Sequence, residues 1–370
     1  MLQENNQFMR RISNSAITRL LVIGILVGLL LIPMEMIESI IRERAGQRES
    51  VIREISSKWG DEQTIGGPVL SIPYKIISTD TKGRVISTTI YTAHFLPDQL
   101  TLKGTVKPEI RYRGIYEAVL YASDLQIDAS FKSPLPAIEE MGIDTKDVLW
   151  DKAIVSIGIS DLRGLKENNM VNWNDAQREL NSGIGTDNIM PCGVNTRVPV
   201  TAVQPEYKFS MHLNLNGSGT LSFLPLGKTT LIHIDSPWKS PSFSGAFLPD
   251  TRTVNDRGFE AIWKTMNLNR NYPQYWKDYD PKIMQTSLGV SLFTPVDEYQ
   301  KTMRSAKYAL LFILLTFVVF FITEIMQKNK VHPIQYLMVG FAISLFYFLL
   351  LSISEHSNFT TASKVGWITR

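Results

Sequence analysis

Three charge-free apolar runs constrain this chain more than any other feature. The first covers Leu20 to Met34, the second Tyr308 to Thr323 and the third Ile334 to Ile353. A helix needs about 20 apolar residues to cross a bilayer core. The first run is short, but Ala16 and Ile17 extend it, and Arg19 can snorkel to the interface. The second stops at Glu324, and the third holds Gln335 as its only strongly polar residue. Only Glu324 to Pro333 separates these two, as in a helical hairpin. The expected layout is an N-terminal segment 1–15, a span 16–36, an outer domain 37–303, spans 304–325 and 333–354 joined by a loop 326–332, and a polar tail 355–370.

Arg10 and Arg11 resemble the basic start of a signal peptide, yet Ile32-Pro33-Met34-Glu35-Met36 offers no small-x-small cleavage site. An uncleaved anchor is expected. Arg10, Arg11 and Arg19 against Glu4, and Lys328 with Lys330 in the connector, place both segments in the cytoplasm. The middle domain and the tail then lie outside. Lys301, Arg304 and Lys307 count against this orientation, but they adjoin a long translocated domain, where the charge rule is weaker. The net charge of +3 is too mild to indicate nucleic acid. The single cysteine, Cys192, excludes an intramolecular disulfide and a thiolate metal cluster, and reads as a small hydrophobe.

The outer domain opens with a helical pattern from Glu35 to Trp59. Ile37, Ile40, Ile41, Val51, Ile52, Ile55 and Trp59 fall near helical spacing. Glu38–Arg42, Glu49–Arg53 and Glu54–Lys58 are acid-before-base pairs four apart, and Gly60 ends the run. This predicts a stalk packing on the domain that follows. Strand patterns begin after Gly66-Gly67-Pro68: 69–74, 85–95, 112–121, 125–131, 153–159, 207–215, 220–224 and 229–234. Asn216-Gly217-Ser218-Gly219 reads as a hairpin turn. Asn168 to Asn195 reads as a long surface loop with one helical turn near Asp175 to Leu180. The expected fold class is membrane-anchored α+β, a large sandwich-like β domain with three transmembrane helices.

The chain also echoes itself. Leu70-Ser71-Ile72, Phe95-Leu96-Pro97-Asp98 and Arg113-Gly114-Ile115-Tyr116-Glu117-Ala118 recur as Leu221-Ser222-Phe223, Phe247-Leu248-Pro249-Asp250 and Arg257-Gly258-Phe259-Glu260-Ala261. Matched blocks in one order suggest tandem subdomains over 66–160 and 205–295. Chance and shared turn chemistry are the alternative.

Chemistry is sparse. There is no His-Glu-x-x-His, nucleophile elbow, phosphate loop or dinucleotide fingerprint. Of the five histidines, His94, His212 and His233 lie in predicted strands, and no spacing forces them to meet. No catalytic residue, cofactor or metal site is expected. Glu324, His332, Glu355 and His356 sit at membrane-helix ends, where water reaches them, and read as anchoring and capping groups. Gly24 and Gly28, four apart, form a small-xxx-small face that would serve helix association, including homo-oligomer formation.

Several passages together resemble the CreD family of bacterial inner-membrane proteins, also called the Cet or cell-envelope-integrity family. They are Leu31-Ile32-Pro33-Met34, Ile41-Arg42-Glu43-Arg44-Ala45, Gly67 to Pro73, Arg113 to Leu125, and Pro241-Ser242-Phe243 through Leu248-Pro249. The most specific is Thr294-Pro295-Val296-Asp297-x-Tyr299-Gln300, continuing through Lys307-Tyr308-Ala309, His332-Pro333-Ile334-Gln335-Tyr336 and Ser354-Glu355-His356. The resemblance implies an inner-membrane protein with a periplasmic domain, produced under a two-component envelope-stress system. It also implies a link to envelope integrity and to altered tolerance of colicins and β-lactams. It supplies no catalytic residues. Members of the family continue with further membrane helices, whereas this chain turns polar from Thr360 to Arg370, so a shortened form is expected. The leading reading is a non-enzymatic protein whose partners are membrane lipid and an envelope protein or lipid. A periplasmic hydrolase and a signalling or accessory subunit are the rivals.

Overall fold

A computed structural model of the chain describes residues 16–82, 85–166, 170–185, 190–277, 281–292, 298–327 and 331–356. They fall into two compact units, Met1–Val51 with Val296–Arg370, and Ile52–Pro295.

Helix α1 runs unbroken from Ala16 to Trp59. It covers both the expected span 16–36 and the expected stalk 35–59. Ion pairs within the helix, Glu38–Arg42 at 3.5 Å and Glu54–Lys58 at 3.0 Å, carry it through its polar half. It stops at Gly60, whose φ of +146° a side chain rarely adopts and whose N–H donates to the Ser56 carbonyl.

The second unit is a two-sheet β-domain. Its strands are β1 (Gln63–Thr79), β2 (Val85–Phe95), β3 (Gln99–Arg113), β4 (Tyr116–Lys132), β5 (Ile154–Ile159), β6 (Met170–Trp173), β7 (Ala176–Glu179), β8 (Asn181–Ser182), β9 (Gly193–Arg197), β10 (Glu206–Ser218), β11 (Thr220–Phe223), β12 (Thr229–Ser236), β13 (Pro241–Gly245), β14 (Thr251–Asn255), β15 (Gly258–Met266), β16 (Tyr275–Lys277) and β17 (Leu288–Leu292). A short helix, α2, covers Leu135–Glu140. One sheet has the order β13-β17-β11-β1-β5-β9-β8, with β2 on β1 and β16 on β2. The other has the order β14-β15-β12-β3-β4-β10-β6-β7. Within each sheet one pair is parallel, β1 with β11 and β3 with β12.

The two sheets differ in burial. β4, β10, β12 and β15 alternate, one face in the core and one toward solvent, which is the period-two signature. β5 and β17 are buried almost throughout, so their sheet is covered on both faces at these two strands, while β2, β8 and β13 of the same sheet carry exposed residues. One apolar cluster joins them all. Trp173, Tyr207, Phe209, Phe131 and Trp263 are among its largest members, and Ile138 of α2 lies in it.

Several local expectations are corrected. The predicted strand 112–121 contains the β3–β4 turn, at Gly114 and Ile115. Asn216–Gly219 is no hairpin, because β10 and β11 belong to different sheets. The chain changes sheet there, with Gly219 at φ +61°. Gly217 is packed so closely that a Cβ would lie 2.3 Å from the Tyr121 hydroxyl. The helical turn expected near 175–180 is strand β7, paired with β6 across Asn174 and Asp175, at φ +48° and +66°. Those left-handed values suit the tight hairpin turn that Asn and Asp tolerate.

The two Phe-Leu-Pro-Asp segments have matching local geometry. Asp98 N–H donates to the Ser130 carbonyl, and its carboxylate accepts from Lys132 N–H at 3.0 Å. Asp250 N–H donates to the Ile262 carbonyl, and its carboxylate accepts from Lys264 N–H at 2.7 Å. Each clamp opens an antiparallel hairpin, β3–β4 or β14–β15. The two stretches do not form separate bodies: β11 lies beside β1 and β12 beside β3, within one core.

In the first unit, α1 packs with α3 (Glu298–Gln327) and α4 (Pro333–His356). Leu30, Met34, Ile37 and Ile41 form one stripe at helical spacing, and Ala306, Ala309, Ile313 and Phe317 another, meeting Tyr336, Tyr347 and Leu350. All three helices are long and apolar enough to cross a membrane.

Candidate functional site

The outer face of the eight-stranded sheet gathers most of the polar side chains that alternation turns away from the core. Register sets them in rows. One row runs Ile262, His233, Lys103, Gln126, His212 across β15, β12, β3, β4 and β10. The next runs Glu260, Asp235, Thr105, Asp124, Asn214. A basic and imidazole row therefore lies beside an acidic one. Diagonal hydrogen bonds tie them: the His212 imidazole to the Asp124 carboxylate and the His233 imidazole to Glu260, each at 2.7 Å. Thr105 Oγ1 donates to Asp235 at 3.1 Å.

One end of this face holds a groove of about 410 Å³. Its lining includes Thr101, Asp128, Asn172, Asp175, Glu206 and Lys208. The β6–β7 turn and β10 raise its wall, and Gln126 donates to Asp128 at 2.9 Å. Three carboxylates, one ammonium, amides and hydroxyls offer hydrogen bonds of both senses to a polar ligand. The sequence reading missed this groove, since its residues come from strands far apart in the chain.

The three strand histidines do not converge. His212 and His233 share the outer face, but β3 and β4 lie between them, about 14 Å at the usual strand spacing. His94 sits in the other sheet, buried, with Nδ1 hydrogen-bonded to Ser71 Oγ at 2.9 Å and its ring tilted against Trp276. Burial pushes this imidazole down to about 4, which keeps it neutral. Among the described residues, no group of His, Cys, Asp and Glu could hold a metal. Cys192 is exposed rather than buried.

The membrane-edge groups separate. His332 caps α4: its backbone carbonyl accepts from Gln335 N–H at 2.8 Å, and Nδ1 accepts from Ile334 N–H at 3.3 Å. Glu324 does not face water as expected. Its side chain is 6% exposed and accepts from the Tyr336 hydroxyl at 3.3 Å, because α3 and α4 close over it. Tyr336 is held edge-on by Phe317 and Phe320. The side chains of Glu355 and His356 lie outside the described residues. Gly24 and Gly28 are not buried against another helix: a Cβ on either would meet no atom within 4 Å. The tight approach is at Gly340, where a Cβ would lie 2.2 Å from Leu30 Cδ1 and 3.1 Å from Phe317 Cζ.

The family described as Inner membrane protein CreD matches residues 15–368. The chain is also similar to the Inner membrane protein CreD of Escherichia coli (strain K12). The two are 32% identical over 347 residues, which cover 92% of this chain and 75% of that protein.

Proposed function

Since the chain belongs to the CreD family of inner membrane proteins, we propose that it is a non-enzymatic envelope-stress and envelope-integrity protein whose β-domain stands in the periplasm and binds an envelope partner or lipid. The outer face of the eight-stranded sheet carries this reading. It is broad, polar and built on one rigid core, with a groove of about 410 Å³ at one end. Its histidines are tied pairwise to carboxylates in separate places, an arrangement suited to surface recognition rather than to a nucleophile, base and orienting group in one cleft.

Native mass spectrometry of the protein released gently from its own membrane tests the reading. A reproducible added mass of lipid, glycan or partner chain is expected, and it should be lost in the Asp128→Ala, Lys208→Ala double variant. Bare protein from both, together with turnover of an envelope substrate, would overturn it.

A further inference from the structure

We propose that the outer edge of β2 is a self-association site, pairing antiparallel with the same edge of a second copy about a two-fold axis at Thr88. Beyond its first half, the β1–β2 hairpin leaves the sandwich. β5 pairs with β1 only as far as Ser71, and β16 pairs with β2 only at Ala93–Phe95. From Lys75 to Tyr91 the described residues form a two-stranded ribbon with solvent on both faces. Among the described residues, six of the sixteen exposed large apolar side chains of the β-domain lie on it: Ile76, Ile77, Val85, Ile86, Ile90 and Tyr91. Val85 and Ile86 are 62% and 69% exposed.

An isolated two-stranded hairpin is marginal in water, and proteins normally blunt a free edge with charge, proline or a short strand. This edge has none of these from Val85 to Thr92. A bulge at Ile86, opposite the Ser78–Thr79 step, is the one edge-blunting device on it, and the ladder is regular from Ser87 to Phe95. Uncharged, β-branched segments of this kind template strand pairing.

The sequence of the edge selects the occupant. Val85-Ile86-Ser87-Thr88-Thr89-Ile90-Tyr91 reads nearly the same in both directions about Thr88. A two-fold axis through an antiparallel pair sets residue 88+k against residue 88−k of the other copy, on the same face. Ile86 then meets the partner's Ile90, Ser87 meets Thr89 and Thr88 meets Thr88, while the bulge at Ile86 turns Val85 to the face opposite Tyr91 and leaves that pair out of the match. Apolar opposes apolar and hydroxyl opposes hydroxyl, the cross-strand matching that stabilises sheets. Two ribbons become one four-stranded sheet, with the isologous contact of a closed dimer.

The test uses the full chain in its native membrane, with Cys192→Ser removing the exposed native thiol. Thr88→Cys should give a disulfide-linked dimer on mild oxidation, since opposed residues bring their Cα atoms to about 4.5–5.5 Å. Lys82→Cys, near the ribbon tip and far from the axis, should not. Ile90→Lys added to Thr88→Cys should lower the dimer yield at least tenfold. Adding Ile86→Glu as well should restore it, because the axis sets each new acid against the other copy's new base. Failure of the Thr88→Cys link, equal linkage at Lys82→Cys, or no rescue by the charge pair would overturn the proposal. So would binding of the ribbon to lipid vesicles in place of the dimer.

Discussion

The β1–β2 and β3–β4 hairpins are alike in length and unlike in support. β3–β4 is flanked by β12 from Gln99 to Thr105 and by β10 from Leu120 to Lys132, and its tip is latched to the end of α1. The Arg111 guanidinium lies 4.3 Å above the Trp59 ring, Arg113 pairs with Glu54, and Trp59 Nε1 donates to the Tyr121 carbonyl at 3.1 Å. β1–β2 has a flanking strand only at its base. One hairpin is a wall of the domain; the other is an arm. The difference shows that strand length and β-propensity alone do not make a sheet: a third strand and a buried face do.

Core truncation gives the largest expected effect. Leu125→Ala, on the buried face of β4, should cost about 2–5 kcal/mol, while Ile77→Ala on the arm should change stability by no more than about 0.5 kcal/mol. Thermal unfolding of both variants in one detergent checks this, and equal losses would mean that the arm is buried in solution. The base of the arm gives the next effect. Since His94 is held neutral down to about 4, the unfolded chain takes up its proton first. Stability is therefore complete above about pH 6.5 and falls as pH drops toward 4, by about 3 kcal/mol. Melts between pH 7 and 4 should show this slope, and His94→Leu should flatten it.

The latch gives the smallest effect. Its partners, the Arg113 guanidinium first and Lys58 next, hold Glu54 down to about 2. Its contribution is present above the ordinary carboxylate range and is lost only as pH falls toward 2. Arg113→Ala should raise amide exchange over residues 110–116 at pH 7 and leave the β1–β2 arm unchanged. A change in the arm would show that the two hairpins are coupled.

Parts of this molecule were legible residue by residue. β2 was bounded correctly because Val85 to Phe95 is dense in β-branched and aromatic residues. β3 was missed because Gly104 and Pro108 punctuate it. Both have physical excuses that only the fold supplies. A Cβ at Gly104 would lie 2.3 Å from Leu125 Cδ2, and Pro108 stands beyond the last β12 partner, Thr105, where its missing N–H costs no ladder bond. The polar groove was invisible because Asp128, Asn172 and Lys208 meet only through strand pairing. The family resemblance was legible throughout, since it rests on order and spacing.

By itself the sequence determined the three apolar helices, the extent of the polar half of α1 and the alternation of the outer strands. Each is a local property, set by which residues lie three or four, or two, positions apart. Tertiary structure decided which strands became neighbours, where β10 gives way to the other sheet at Gly219, and that Glu324 turns inward to Tyr336. It also kept His94 in a different sheet from His212 and His233. Those outcomes depend on contacts between residues tens to hundreds of positions apart, where burial of one shared core outweighs any local preference.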